Sequence, residues 1–147
     1  WLVEFESTYT EGVTPLAGAL QLLTSLPVGR WAIVTSGGPT VAQARVRAAG
    51  LPEPVVWVTG DDVRNGKPDP EGYLTGARLL GAEPSRCVFF EDVDPGMRAG
   101  LAAGMTGVGV LSRLQREQLP GAHAYVHDLR SVSVTTSGAQ LKVHVAP

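Results

Sequence analysis

Three clusters of chemically capable residues recur along the chain, each downstream of an apolar run. The first is Thr35-Ser36-Gly37-Gly38, which follows Trp31-Ala32-Ile33-Val34. Hydroxyls beside free backbone N–H groups at the start of a helix suit a phosphate dianion. The same four residues also serve as an N-cap and a glycine turn. The second is Asn65-Gly66-Lys67-Pro68-Asp69-Pro70, where two prolines and a glycine hold one lysine. A fixed ammonium can neutralise a phosphoryl group during transfer; the alternative is a solvated turn lysine. The third is Glu91-Asp92-Val93-Asp94-Pro95-Gly96. Two carboxylates ~5 Å apart repel by about 3 kcal/mol at an effective dielectric of ~20. A hard divalent cation removes that repulsion, and Mg²⁺ accepts one or two carboxylates plus phosphate. The same acids can instead cap the helix that opens near Pro95, a role that suits Asp94.

The elements that must position these clusters alternate between short apolar runs and helical patterns, which signals an α/β fold with a parallel sheet. Strands are predicted over residues 31–34, 55–58, 87–90 and 106–110, with a last short one over 124–126. Helices are predicted over 16–26, 39–49, 70–80 and 95–103; Pro39 opens the second, and Gly50, Gly81 and Gly104 close the later ones. Residues 59–70 read as a polar loop. Residues 132–135 and 140–145 alternate around Ser137-Gly138, the pattern of an antiparallel hairpin. Ligands of an open α/β sheet bind beyond the carboxyl ends of its strands. The three clusters follow three successive strands, so they meet at one edge, and together they favour phosphoryl chemistry.

Bulk properties exclude other classes. A chain of 147 residues suits one domain. A net charge of −2 argues against a nucleic-acid surface. No apolar run approaches the ~18 residues of a membrane span. The single cysteine, Cys87, excludes an intramolecular disulfide framework and a Cys-type zinc site, and a cytoplasmic setting follows as the default. Cys87 opens an apolar run and reads as a structural thiol rather than a nucleophile. The opening Trp1-Leu2-Val3-Glu4 has no signal-peptide pattern and no initiator Met, which reads as a fragment or a processed chain.

Trp31-Ala32-Ile33-Val34-Thr35-Ser36-Gly37 resembles the second motif of hydrolases of the haloacid dehalogenase (HAD) superfamily. Gly66-Lys67-Pro68-Asp69-Pro70 resembles their third motif, and Phe90 to Gly100 their fourth. The likeness runs from about residue 12 to residue 130. Gly50-Leu51-Pro52-Glu53-Pro54 and Tyr73-Leu74-Thr75-Gly76-Ala77 resemble the sugar-phosphate branch, which holds hexitol, glycerol and 2-deoxyglucose phosphatases. The resemblance implies a Rossmann-like core with a parallel sheet and helices on both faces. That core is expected over residues 12–130 and is expected to be incomplete. Residues 131–147 would form the terminal hairpin, and residues 1–11 a remnant of a helical cap.

The resemblance also assigns roles. Thr35 would bind a phosphate oxygen through its hydroxyl, helped by Ser36 and Gly37, and Lys67 would pair with the nucleophile and the phosphoryl group. Asp92 would anchor Mg²⁺, with Glu91 assisting directly or through water. Asp94 departs from the proline usual in the branch, which bears on the shape of that loop. The implied reaction is Mg²⁺-dependent hydrolysis of a small sugar or polyol phosphate through an aspartyl-phosphate, with no nucleic-acid or membrane partner. The family's first motif, a strand followed by Asp-x-Asp-Gly-Thr, matches no segment of this sequence, and most of the cap is missing too. The chain alone is therefore expected to be inactive, and the strands at 31–34 and 87–90 are expected to lose a shared neighbour. Two other functions fit the same motifs: a non-catalytic relative that binds phosphate or a partner, and a β-phosphoglucomutase-like phosphotransferase.

Overall fold

The structure is a computed structural model that describes residues 10–146. The expected cap remnant falls mostly on residues 1–9, outside the described residues. The regular elements are α1 (Ala19–Ser25), β1 (Ala32–Val34), α2 (Pro39–Ala48), β2 (Val56–Val58), α3 (Glu71–Leu80) and β3 (Val88–Glu91). They continue with α4 (Asp94–Ala102), β4 (Thr106–Val110), β5 (Ala124–Val126), β6 (Val132–Ser137) and β7 (Gln140–Val145).

Local chemistry sets most of these bounds. Pro39 occupies the first turn of α2, where its missing N–H leaves no bond unmade. The helix expected over 16–26 is shorter, because Gly18 turns with φ 83 and its Cα lies against the Leu129–Arg130 backbone. No side chain fits there: an added Cβ would sit 2.4 Å from the Arg130 nitrogen. β3 starts one residue later than expected and runs on to Glu91. Side chains alternate along a strand, so Glu91 shares a face with Phe89 while Asp92 lies just past the strand end.

β1 pairs parallel with β2, matching Ile33 to Trp57, and β3, β4 and β5 form a second parallel ladder. β6 and β7 make the expected antiparallel hairpin. Among the described residues no ladder joins β1 to β3, so the parallel sheet is in two pieces, each ending at a strand paired along one edge. Burial follows this break. Interior strands of parallel sheets are normally covered on both faces, and β4 is, with Val108 only 2% exposed. By contrast β1 is half-buried throughout, and Val88 at the start of β3 is 37% exposed.

Helices cover both faces. On one face α3 and α4 enclose Tyr73, Ala77, Phe89 and Met97. On the other, Leu22 of α1 packs with Val108, Val110, Val126 and Val132. The hairpin joins that second cluster through Val134, Val143 and Val145, and Arg30 donates to the Ala139 carbonyl at its turn, 2.8 Å away. Burying one such aliphatic side chain contributes roughly 1.5–3 kcal/mol. No helix among the described residues is long and apolar enough to cross a membrane.

Candidate functional site

The loop from residue 59 to residue 70 is shaped by its own carboxylates. Asp62 accepts from the Thr59 hydroxyl (2.7 Å) and the Thr59 N–H (2.8 Å), closing a short turn after β2. Those two bonds, the hydroxyl first, hold its carboxyl below the usual range. Glu71, in the first turn of α3, accepts the backbone N–H groups of Arg64 and Asn65, both at 2.9 Å. These donors likewise hold the Glu71 carboxyl below its usual range. Asp69 accepts the Glu71 N–H at 2.9 Å, and the Lys67–Pro68 peptide is cis.

The loop delivers Lys67 inward, its side chain 15% exposed. Its ammonium donates to the Val34 carbonyl at the end of β1 (3.2 Å) and forms an ion pair with Glu91 Oε1 at the end of β3. One side chain thus touches the carboxyl ends of both sheet pieces. Glu91, 8% exposed, takes a second donor on the same oxygen, the Tyr73 hydroxyl at 2.7 Å. Burial, then the Glu91 charge and its hydrogen bond, push the Tyr73 phenol well above its ordinary value. The Lys67 ammonium lies 5.1 Å from the centre of the Tyr73 ring. Gly96, in the first turn of α4, lets the Glu91 carboxylate lie against the helix backbone; a Cβ there would be 2.1 Å from the carboxyl carbon.

Thr35 continues the β1–β2 pairing by donating its N–H to Val58 (2.9 Å), and its hydroxyl oxygen accepts the Gly37 N–H (3.1 Å). Thr35, Ser36 and Lys67 line one cavity of about 190 Å³, walled by Val34, Val58 and Tyr73. Of the residues singled out by sequence, the fold therefore gathers Thr35, Ser36, Lys67 and Glu91. Gly37 stands behind Thr35. Asp92 lies at the β3–α4 junction, off the cavity, and forms no ion pair among the described residues. Asp94 is the first residue of α4 rather than its cap: Val93 holds the N-cap position with no side-chain cap bond, and Asp94 instead pairs with Arg98 one turn along at 3.2 Å. No group of three His, Cys, Asp or Glu side chains among the described residues is placed to hold a metal ion. Cys87 is half-buried near the Glu83 carbonyl, and burial pushes its thiol up. The sequence reading missed two partners, the Tyr73 hydroxyl and the Val34 carbonyl. The signal for Tyr73 was available: strand alternation puts Glu91 beside Phe89, on the face that α3 covers.

A cavity lined by Thr35, Ser36 and a lysine that a strand-end carboxylate holds from behind has the chemistry to accept an anion. The sequence pattern of the haloacid dehalogenase-like hydrolases matches residues 4–104. The chain belongs to that family. Hexitol phosphatase A of Escherichia coli is 45% identical over 136 residues, 91% of this chain and 63% of the relative. The 2-deoxyglucose-6-phosphate phosphatase 2 of Saccharomyces cerevisiae is 38% identical, over 89% of this chain and 62% of the relative. A family IA, variant 3 HAD hydrolase from Entamoeba histolytica superposes with a TM-score of 0.76 at 25% identity, over 88% of this chain and 62% of the other. The chain thus spans less than two-thirds of the length of these HAD relatives.

Proposed function

We propose that the protein carrying this chain is a Mg²⁺-dependent phosphatase of small sugar or polyol phosphates that works through an aspartyl-phosphate. The observation that carries the reading is the ion pair and cavity around Lys67, beside Thr35 and Ser36. The HAD relatives named for hexitol and 2-deoxyglucose-6-phosphate phosphatase activity support the substrate class. A cytoplasmic location belongs to the same reading.

Each side chain has a task that follows from its contacts. The Thr35 oxygen accepts the Gly37 N–H, so its own proton is left to donate to a phosphate oxygen. Lys67, held by Val34 and Glu91, presents a fixed positive charge to the same anion, where it stabilises negative charge that grows in the transition state. The donor chemistry of Glu91 and Asp92 fits Mg²⁺. One Glu91 oxygen already has two donors, which leaves the other oxygen and the neighbouring Asp92 carboxylate. Asp92, with the other Glu91 oxygen, would hold the ion, whose charge would offset the repulsion between phosphate and an attacking carboxylate. Among the described residues the cavity is lined by one carboxylate, Asp69, and that group caps α3. The attacking aspartate therefore comes from outside this set, and the 147-residue chain alone is inactive.

The test is release of inorganic phosphate by the full-length polypeptide from p-nitrophenyl phosphate, hexitol phosphates, 2-deoxyglucose 6-phosphate and glycerol phosphate. Turnover should require Mg²⁺. It should fall roughly 10²–10³-fold in Lys67→Ala, the loss typical of one preorganised donor, and severely in Asp92→Asn. Isomerisation of a hexose phosphate without phosphate release would reassign the protein as a phosphotransferase. Release that survives chelation and Lys67→Ala would remove the proposal.

A further inference from the structure

The Glu91 carboxylate is held by more than its lysine. Its Oε1 receives both the Lys67 ammonium and the Tyr73 hydroxyl, and its carboxyl group rests on the Gly96 backbone. Tyr73 is itself fixed. It is 7% exposed on the buried face of α3, and its ring packs on Phe89 with centroids 5.0 Å apart at 55°. The phenol is the only one of these contacts that belongs to α3, so it links the helix to the strand end. Every buried side-chain nitrogen and oxygen among the described residues has a partner. Removing the phenol oxygen would leave Glu91 Oε1 to Lys67 alone.

We propose that Tyr73 is a positioning residue of this site. Its hydroxyl sets the Glu91 carboxylate in one orientation, and through Glu91 it fixes the direction in which the Lys67 ammonium faces the cavity. The inference rests on the phosphatase reading for its catalytic consequence, but not for its geometry. Tyr73 lines the cavity, but its hydroxyl is spent on Glu91, so it acts on the lysine at one remove. Orientation matters here because a charge aimed in advance needs no rearrangement when the transition state forms. A donor to a buried carboxylate is a strong hydrogen bond, and losing one corresponds to roughly a tenfold change in an equilibrium or a rate.

The experiment uses Tyr73→Phe in the full-length polypeptide, since Phe keeps the ring that packs on Phe89. The expected result is a kcat about tenfold lower with KM within about twofold, because the lysine keeps its partners but the carboxylate that aims it is no longer fixed. A second readout needs no substrate. ¹⁵N-lysine labelling reports the ammonium groups, and Lys67 is assigned by the loss of its signal in Lys67→Arg. The wild-type Lys67 signal should be sharp, and Tyr73→Phe should broaden it through faster exchange. Unchanged kcat together with an unchanged Lys67 signal would reduce Tyr73 to packing and overturn the proposal. If no phosphate ester is turned over at all, the phosphatase reading fails while the ammonium signal still decides the positioning role. If Tyr73→Phe fails to fold, the wild-type protein supplies the check. A slowly exchanging Tyr73 hydroxyl proton with a cross-peak to the Glu91 methylenes supports the link, and its absence overturns it.

Discussion

Gly96 sets how closely α4 can approach Glu91, and so how firmly the carboxylate is held. A methyl group at this position would sit 2.1 Å from the carboxyl carbon, too close for either group to stay. Gly96→Ala should therefore push Glu91 off Lys67 and Tyr73. Overpacking of this kind costs roughly 1–3 kcal/mol. We expect a lower urea midpoint and a loss of turnover in the same variant, read by denaturation and by phosphate release. A variant with both properties intact would show that the carboxylate can settle elsewhere. At this scale Thr35, Lys67, Glu91 and Asp92 could be picked out from the sequence because hydroxyl, cation and acid each follow an apolar run. For Tyr73 the sequence carried only part of the signal. Strand alternation puts Glu91 on the face of Phe89, but which α3 residue meets it depends on how α3 lies across β3, and periodicity along one element carries no information about the rotation of its neighbour.

The segment between β2 and α3 depends on Glu71. Its carboxylate is held below the usual range by the Arg64 and Asn65 N–H groups, so it binds a proton less readily folded than unfolded. Its contribution to the loop is present above the unfolded value of about 4.3 and is lost as pH falls through the lower folded value. Protection of the Arg64 and Asn65 amides, measured against the unfolded exchange rate at each pH, should be high near neutrality and lower below about pH 4. Glu71→Gln should show the low protection at every pH, together with weaker phosphate binding, because the loop presents Lys67. Most elements were legible in the sequence. β4 and β5 begin and end where their apolar runs do, and α2 and α3 fall within a residue of expectation. α1 was read too long because its apolar spacing continues back to Leu16. Gly18 ends the helix there through a contact with Leu129 and Arg130, more than a hundred residues away in sequence, which no local pattern reports.

The two-piece parallel sheet governs the molecule as a whole. β4 has a ladder on both sides and buried valines, whereas β1 and β3 are each paired along one edge among the described residues. Hydrogen exchange should rank accordingly, slowest for the amides of Val108 and Val110 and faster for β1. Equal protection across these strands would mean that β1 and β3 are covered as fully as β4. The break between β1 and β3 was legible because the family's first motif, which matches no segment here, is a strand. The details of what spans the break were not, since they depend on the side-chain direction of a loop lysine. Lys67 is that span: it reaches the end of β1 through Val34 and the end of β3 through Glu91. One residue therefore carries two traits that are usually separable. A mutant library sorted only for survival of heating, with no selection for turnover, should still enrich for lysine at this position. Persistence of Lys67 among variants or relatives is then weak evidence that they remain enzymes.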